Sequence, residues 1–173
     1  LLDKLCEIDG LKWIRMLYCY PERITDELID CMKRQDKIVK YLDIPMQHCD
    51  DAILKRMNRK CTGDSLRELV AKLRREIPGI TLRTTFITGF PGETEEQFNE
   101  LGEFAEEMKF ERMGCFAYSE EEGTPAASFP DMVDEDVREH RKEILEEQQD
   151  TRVAEMYNAM IGSTDEVVVE GYD

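Results

Sequence analysis

No apolar run in this 173-residue chain approaches the ~20 residues needed to cross a bilayer, and its first residues lack a secretory signal pattern. Close cysteine pairs are missing too. The six cysteines stand at 6, 19, 31, 49, 61 and 115, which excludes a C-x-x-C redox pair and zinc-ribbon spacing. Neither phosphate-loop pattern, G-x-x-x-x-G-K-[ST] or G-x-G-x-x-G, occurs. With only two histidines, His48 and His140, no Ser-His-Asp or Cys-His set is legible. Basic residues are scarce, 23 against 39 acidic, for a formal charge of −16. Such a surface repels phosphate backbones and suits a basic protein better than tRNA, or it serves solubility alone. These absences predict a soluble cytoplasmic protein, with no membrane partner and with reduced, mostly buried thiols.

What is present centres on the middle of the chain. The apolar, β-branched run from Ile80 to Ile87 predicts a buried strand. It stops at Gly89-Phe90-Pro91-Gly92, and Thr94 with Gln97 has capping-box spacing just ahead of Phe98, Leu101, Ala105 and Met108. A strand, glycine turn and helix in this order form the ligand-facing rim of α/β folds. A ligand-binding turn and a merely tight connection both satisfy the pattern.

Around this unit the chain alternates. Leu1, Leu2, Leu5 and Ile8 lie on one helical face ending at Gly10, so residue 1 reads as the middle of a helix. Trp13 to Tyr20 predicts a strand, and Thr25 caps a helix with Ile24 stapled onto Ile29. Ile38 to Met46 predicts the next strand. A short helix capped by an aspartate follows, and then a longer one capped by Ser65 and Glu68. After a helix over 95–109 come a strand from Arg112 to Tyr118, a loop, a charged helix from Asp134 to about Met160, and a last strand over Asp165 to Glu170. Four strands alternating with helices predict parallel βα units, part of a larger barrel or open sheet.

In such folds ligands meet the carboxyl ends of the strands. Those ends carry Tyr18 and Tyr20; Gln47 and His48; Thr88, Gly89 and Glu93; Tyr118, Ser119 and Glu120. Each has a plain structural alternative: His48 as a satisfied core histidine, and Glu120-Glu121-Glu122 as a solvated loop. His48-Cys49-Asp50-Asp51 contains metal-ligand types, but adjacent residues do not easily converge on one ion, so no metal site is assigned. Pattern and spacing end at an α/β ligand-binding unit without a reaction.

Four segments go further. Tyr41-Leu42-Asp43-Ile44-Pro45-Met46-Gln47-His48, Ile53-Leu54-Lys55-Arg56-Met57-Asn58-Arg59, Thr88-Gly89-Phe90-Pro91-Gly92-Glu93-Thr94 and Tyr118-Ser119-Glu120-Glu121-Glu122-Gly123-Thr124-Pro125-Ala126 resemble the radical S-adenosylmethionine methylthiotransferases. Within that family they are most similar to the RimO branch, which modifies a ribosomal protein. The resemblance implies a partial (βα) barrel of radical-SAM type, truncated at its N-terminus. Residues 1–162 would be its latter part, and 163–173 the first strand of a TRAM-like β domain. The family's C-x-x-x-C-x-x-C motif is absent, as is its second cysteine set, so the two 4Fe-4S clusters of the full-length enzyme find no ligands here. This piece alone should be inactive.

By the resemblance, the intact enzyme cleaves S-adenosylmethionine reductively with electrons from a reductant protein. The resulting radical takes hydrogen from the β-carbon of an aspartate in a basic small-subunit ribosomal protein, and a methylthio group is delivered there. Residues of this chain would hold S-adenosylmethionine, with Gly89 and Gly92 against its ribose or amino-acid portion and Phe116 on adenine. Gln47 and Arg83 would meet its polar groups, or Arg83 would form an ion pair inside the barrel. His48, Tyr118, Glu120, Glu121 and Glu122 would face substrate. No catalytic residue is assigned. A tRNA-modifying relative and a cluster-less binding domain are the alternatives.

Overall fold

A computed structural model describes residues 1–169 and 171. Four strands form one parallel sheet in chain order, β1 (Ile14–Met16), β2 (Ile38–Asp43), β3 (Thr81–Thr88) and β4 (Arg112–Ala117). Helices fill the crossovers: α2 (Asp26–Arg34) between β1 and β2, α3 (Asp51–Arg56) and α4 (Gly63–Glu76) before β3, and α5 (Glu95–Met108) before β4. A short α1 (Leu2–Cys6) precedes the sheet and a long α6 (Glu135–Met160) follows it. This is the expected parallel arrangement with a helix in every crossover. Among the described residues no helix is long and apolar enough to cross a membrane.

Strand β3 organises the packing. Its residues alternate strictly, with Leu82, Thr84, Phe86 and Thr88 buried while Arg83, Thr85 and Ile87 share the other face. Phe86 meets Phe104 of α5 and Phe110 edge-on, at centroid distances of 6.2 and 6.0 Å. Thr84 is buried yet satisfied, because its hydroxyl donates to the Ile44 carbonyl at 3.0 Å. The Thr94–Gln97 capping box forms as expected and starts α5 directly after the glycine turn.

Several boundaries depart from the sequence-based expectation. The strand predicted over Trp13–Tyr20 shortens to Ile14–Met16, because the backbone of Tyr18 turns left-handed (φ 57). There Tyr18 N–H donates to the buried Asp43 carboxylate at 3.2 Å, and Cys19 N–H to the Asp43 carbonyl at 2.8 Å. The strand predicted to reach Met46 ends at Asp43, just short of Pro45, and resumes as a single bridge between Gln47 and Phe86. The box that starts α4 is Thr62 with Ser65 rather than Ser65 with Glu68. The first helix stops at Cys6, well before Gly10. Residues 165–169 are not in a strand, since no neighbouring strand offers them ladder partners; Glu170 lies outside the described residues.

Candidate functional site

The carboxyl ends of β1, β2 and β3 open onto two adjoining cavities of about 160 and 420 Å3, which share Gln47 and Arg59. Tyr18, Tyr20 and Pro45 line the smaller one. Ile87, Phe90, Arg56 and the segment from Thr124 to Ala126 line the larger. Gln47 stands between them in a left-handed conformation (φ 73) that costs a residue with a Cβ roughly 1–3 kcal/mol. Two backbone bonds hold it there. Its N–H donates to the Thr85 carbonyl at 2.8 Å and its carbonyl accepts from Ile87 N–H at 2.9 Å. Tyr18 and Asn58 (φ 58) are left-handed at the same mouth. Three of the five non-glycine residues with positive φ among those described therefore gather where the cavities meet.

The outer wall is the connection after β4. Phe90 meets Tyr118 edge-on at 5.3 Å and Phe129 at 6.2 Å, and Gly92 N–H donates to the Asp131 carbonyl at 2.8 Å. The guanidinium of Arg56 lies over the Phe129 ring at 5.1 Å. In this way α3, the glycine turn and the 124–131 segment are knitted around one cleft.

Behind the turn lies a buried polar cluster. Glu93 Oε1 accepts from Gly89 N–H at 3.0 Å and from Arg141 Nη1 of α6 at 2.7 Å. Its Oε2 stands 3.3 Å from His48 Nε2, and both side chains are wholly buried. His48 Nδ1 accepts from Asp50 N–H at 3.0 Å, so the ring proton belongs on Nε2, facing the carboxylate. His48 is thus buried in the core rather than exposed at the mouth, and its Nε2 and Glu93 Oε2 face each other without completing a hydrogen bond.

The other candidates divide. Gln47 reaches the mouth. Arg83 lies on the face away from the helices and pairs with buried Asp43 at 2.8 Å, the ion-pair arrangement considered for it. Phe116 is 59 % exposed on the same face, in register with Ile87. Gly89 and Gly92 both have positive φ, at 67 and 83, but a packing reason accompanies each. A Cβ on Gly89 would overlap Arg138 Cγ of α6, and one on Gly92 would lie 2.7 Å from Arg56 Nη1. The direction of each absent side chain is filled by protein. Tyr118 turns its ring onto Phe90 and buries its hydroxyl, which burial pushes upward in pKa. Glu120, Glu121 and Glu122 are exposed, and Glu120 opens onto a hollow beside Glu135 and Glu139 at the start of α6.

Arg56, Arg59 and Phe129 escaped the site assignment made from sequence, while Glu93 reads as a strand-end residue and proves to be buried behind the turn. Arg56 and Arg59 stand inside a segment that carries the family resemblance, which was the available signal. Among the described residues no three His, Cys, Asp or Glu side chains come together as candidate metal ligands. With Gln47 shared by the two cavities and Ile87 and Phe90 as apolar wall, the lining of the mouth is amphipathic.

A parallel βα sheet with its mouth at the strand ends is the radical-SAM architecture, and the sequence profile of the Radical SAM superfamily matches residues 1–105: the chain belongs to that superfamily. Coproporphyrinogen III oxidase HemN of Escherichia coli shares the fold at a TM-score of 0.59 and 18% identity, over 86% of this chain and 32% of that one. SuiB of Streptococcus suis does so at 0.55 and 16%, over 89% and 36%. Among curated relatives, the chain is 55% identical to the ribosomal protein uS12 methylthiotransferase RimO of Geobacter sulfurreducens and 53% to that of Lachnoclostridium phytofermentans. The match covers 99% of this chain in both cases, and 38% and 39% of those relatives' lengths.

Proposed function

We propose that this chain forms the latter part of the barrel of a RimO-type methylthiotransferase acting on ribosomal protein uS12. The observation that supports it is convergence. Gln47, the Arg56–Arg59 segment, Phe90 and the Thr124–Ala126 segment come from four stretches scattered over the sequence, and all of them line one cleft of about 420 Å3. Those are the stretches in which the resemblance to this family resides.

In this reading S-adenosylmethionine lies across the strand ends, with Gln47 and Arg83 near its polar groups, Phe116 near adenine and the backbone of Gly89 and Gly92 along its edge. Arg83 acts while bound to Asp43, which holds the guanidinium in one orientation. Bound, the cofactor and the clusters of the whole enzyme supply the radical and sulfur-transfer chemistry; this chain positions groups and excludes water. Glu120, Glu121 and Glu122 draw the basic ribosomal protein toward the mouth, with Tyr118 shaping their support. Residues 163–173 begin the TRAM-like domain, and a cytoplasmic reductant protein supplies electrons.

The test is reconstitution of the whole enzyme with S-adenosylmethionine, a reductant and either purified uS12 or tRNA. Mass spectrometry should find one methylthio group on an aspartate of the protein. A methylthio group on a tRNA nucleoside, with uS12 unmodified, would overturn the reading.

A further inference from the structure

We propose that Asp43 is a positioning residue whose one carboxylate fixes both the Arg83 guanidinium on the inner face of the sheet and the Tyr18 ring at its rim. The proposal rests on the reading above, in which Arg83 meets S-adenosylmethionine. It concerns what places that arginine and what ties it to the entrance used by the protein substrate.

Asp43 is the buried last residue of β2, and each of its carboxylate oxygens serves a different part of the chain. Oδ1 accepts from Arg83 Nη1 at 2.8 Å, forty residues on. Oδ2 accepts from the backbone N–H of Tyr18 at 3.2 Å, twenty-five residues back. The Asp43 carbonyl takes Cys19 N–H as well, at 2.8 Å. Tyr18 needs such support, because a left-handed backbone (φ 57) is unfavourable for a residue with a Cβ. The ring so placed is 76 % exposed and lines the smaller cavity with Gln47.

Arg83 is held at one edge and open at the other. Among the described residues its side chain donates to Asp43 alone, and the side chain is 34 % exposed. Its Nη2 lies over the next strand, where a Cβ on Gly114 would stand 3.7 Å away. The guanidinium thus reaches from Asp43 on β2 to the backbone of Gly114 on β4. Because Gly114 has no side chain, the remaining N–H groups stay uncovered and can donate to a ligand on the inner face.

Stability does not account for this arrangement. A buried ion pair can often be replaced by apolar side chains without loss, so what the pair adds is orientation. A guanidinium on a flexible stem is confined to one pose when its edge is bonded to a carboxylate that a second donor holds in turn. Asp43 cannot follow a displaced Arg83 without releasing Tyr18 N–H. Rim and inner face are therefore linked through one side chain, and a disturbance at either end is felt at the other.

The test uses the whole enzyme with its clusters. Binding of S-adenosylmethionine is read by equilibrium dialysis, and KM for uS12 is measured at saturating S-adenosylmethionine. Asp43→Ala removes both acceptors. It should weaken S-adenosylmethionine binding about tenfold, as Arg83→Met does. It should also raise KM for uS12 several-fold, as does Tyr18→Asn, which removes the ring but tolerates the left-handed backbone. Two double variants then separate the roles. Asp43→Asn with Arg83→Met keeps one acceptor for Tyr18 N–H, whereas Asp43→Leu with Arg83→Met keeps none. Both should bind S-adenosylmethionine weakly, and only the second should show the raised KM. A merely structural role would lower the folded fraction and leave that split unmade. If Asp43→Ala fails to fold, the double variants, which strand no charge, carry the test. Normal S-adenosylmethionine binding in Asp43→Ala, with weak binding in Arg83→Met, overturns the placing of Arg83 by Asp43. Tyr18→Asn with an unmoved KM, or equal KM in the two double variants, overturns the tie to the rim. Normal binding in Arg83→Met takes that residue away from the cofactor, so the reading above fails at Arg83 and this proposal with it.

Discussion

Arg141 of α6 donates at 2.7 Å to Glu93, a carboxylate with no exposure at all, forty-eight residues earlier in the chain. The same oxygen of Glu93 accepts from Gly89 N–H, and the other faces His48. The last helix is thereby tied, through one side chain, to the turn that ends β3 and to the segment that follows β2. Arg141 also stands over the Phe98 ring of α5 at 5.3 Å, so the anchor includes a third element.

Glu93→Gln leaves Arg141 and its charge buried without a counter-ion. Breaking a buried pair from one side costs about 3–5 kcal/mol. The expected result is a fall of that size in unfolding free energy by urea titration, and a smaller loss when Arg141→Met is added. A loss under about 1 kcal/mol in the single variant would show the pair to be dispensable.

Gly89→Ala should destabilise through Arg138. The new methyl overlaps Arg138 Cγ, and the residue is held at φ 67. Overpacking costs about 1–3 kcal/mol and the left-handed backbone about 1–2 more. Arg138→Ala removes the overlap but also the bond from Arg138 Nη1 to the Tyr118 carbonyl. A double-mutant cycle should therefore show positive coupling, with the pair of changes milder than their sum. Strict additivity would mean that α6 does not dictate the glycine.

Burial pushes the Cys49 and Cys115 thiols up to about 12. Unfolded, they ionise near pH ~8.5–9. Their protonated form is the native one, so the contribution is complete below the unfolded value and is lost as pH rises toward 12. In that window the unfolded chain binds fewer protons and stability falls, by about 1.4 kcal/mol per pH unit per thiol. Cys49→Ala with Cys115→Ala should flatten the alkaline slope of unfolding free energy between pH 9 and 11, whatever it does to stability at pH 7. An unchanged slope would contradict the assignment.

The border carboxylates act at longer range. Replacing Glu120, Glu121 and Glu122 by Gln in the whole enzyme should slow association with the ribosomal protein several-fold at low ionic strength. The difference should close at about 0.5 M salt, where the screening length is only a few ångströms. Stopped-flow association at two salt concentrations decides it. Equal rates at low salt would make this connection a plain solvated loop.

The parallel sheet, the crossover helices and the Thr94–Gln97 cap were legible in sequence because each rests on local periodicity or on spacings of three and four residues. The family was legible because four short segments recur together. None of these says which way a side chain turns. His48 follows a strand and reads as a rim residue, yet the fold buries it beside Glu93, forty-five positions later. Gly89 reads in sequence as a turn residue open to a ligand, and only the fold adds that α6 brings Arg138 to where a Cβ would stand. Arg56 and Arg59 resemble any cations on a short helix and its loop, and only the folding of Phe129 and Tyr20 against them makes one cleft. Sequence by itself determined the order and kind of the sheet strands and their crossover helices, since those follow from interactions between near neighbours. The tertiary structure alone decided the composition of the mouth, because burial and charge pairing depend on distances that the chain closes only when the sheet is assembled.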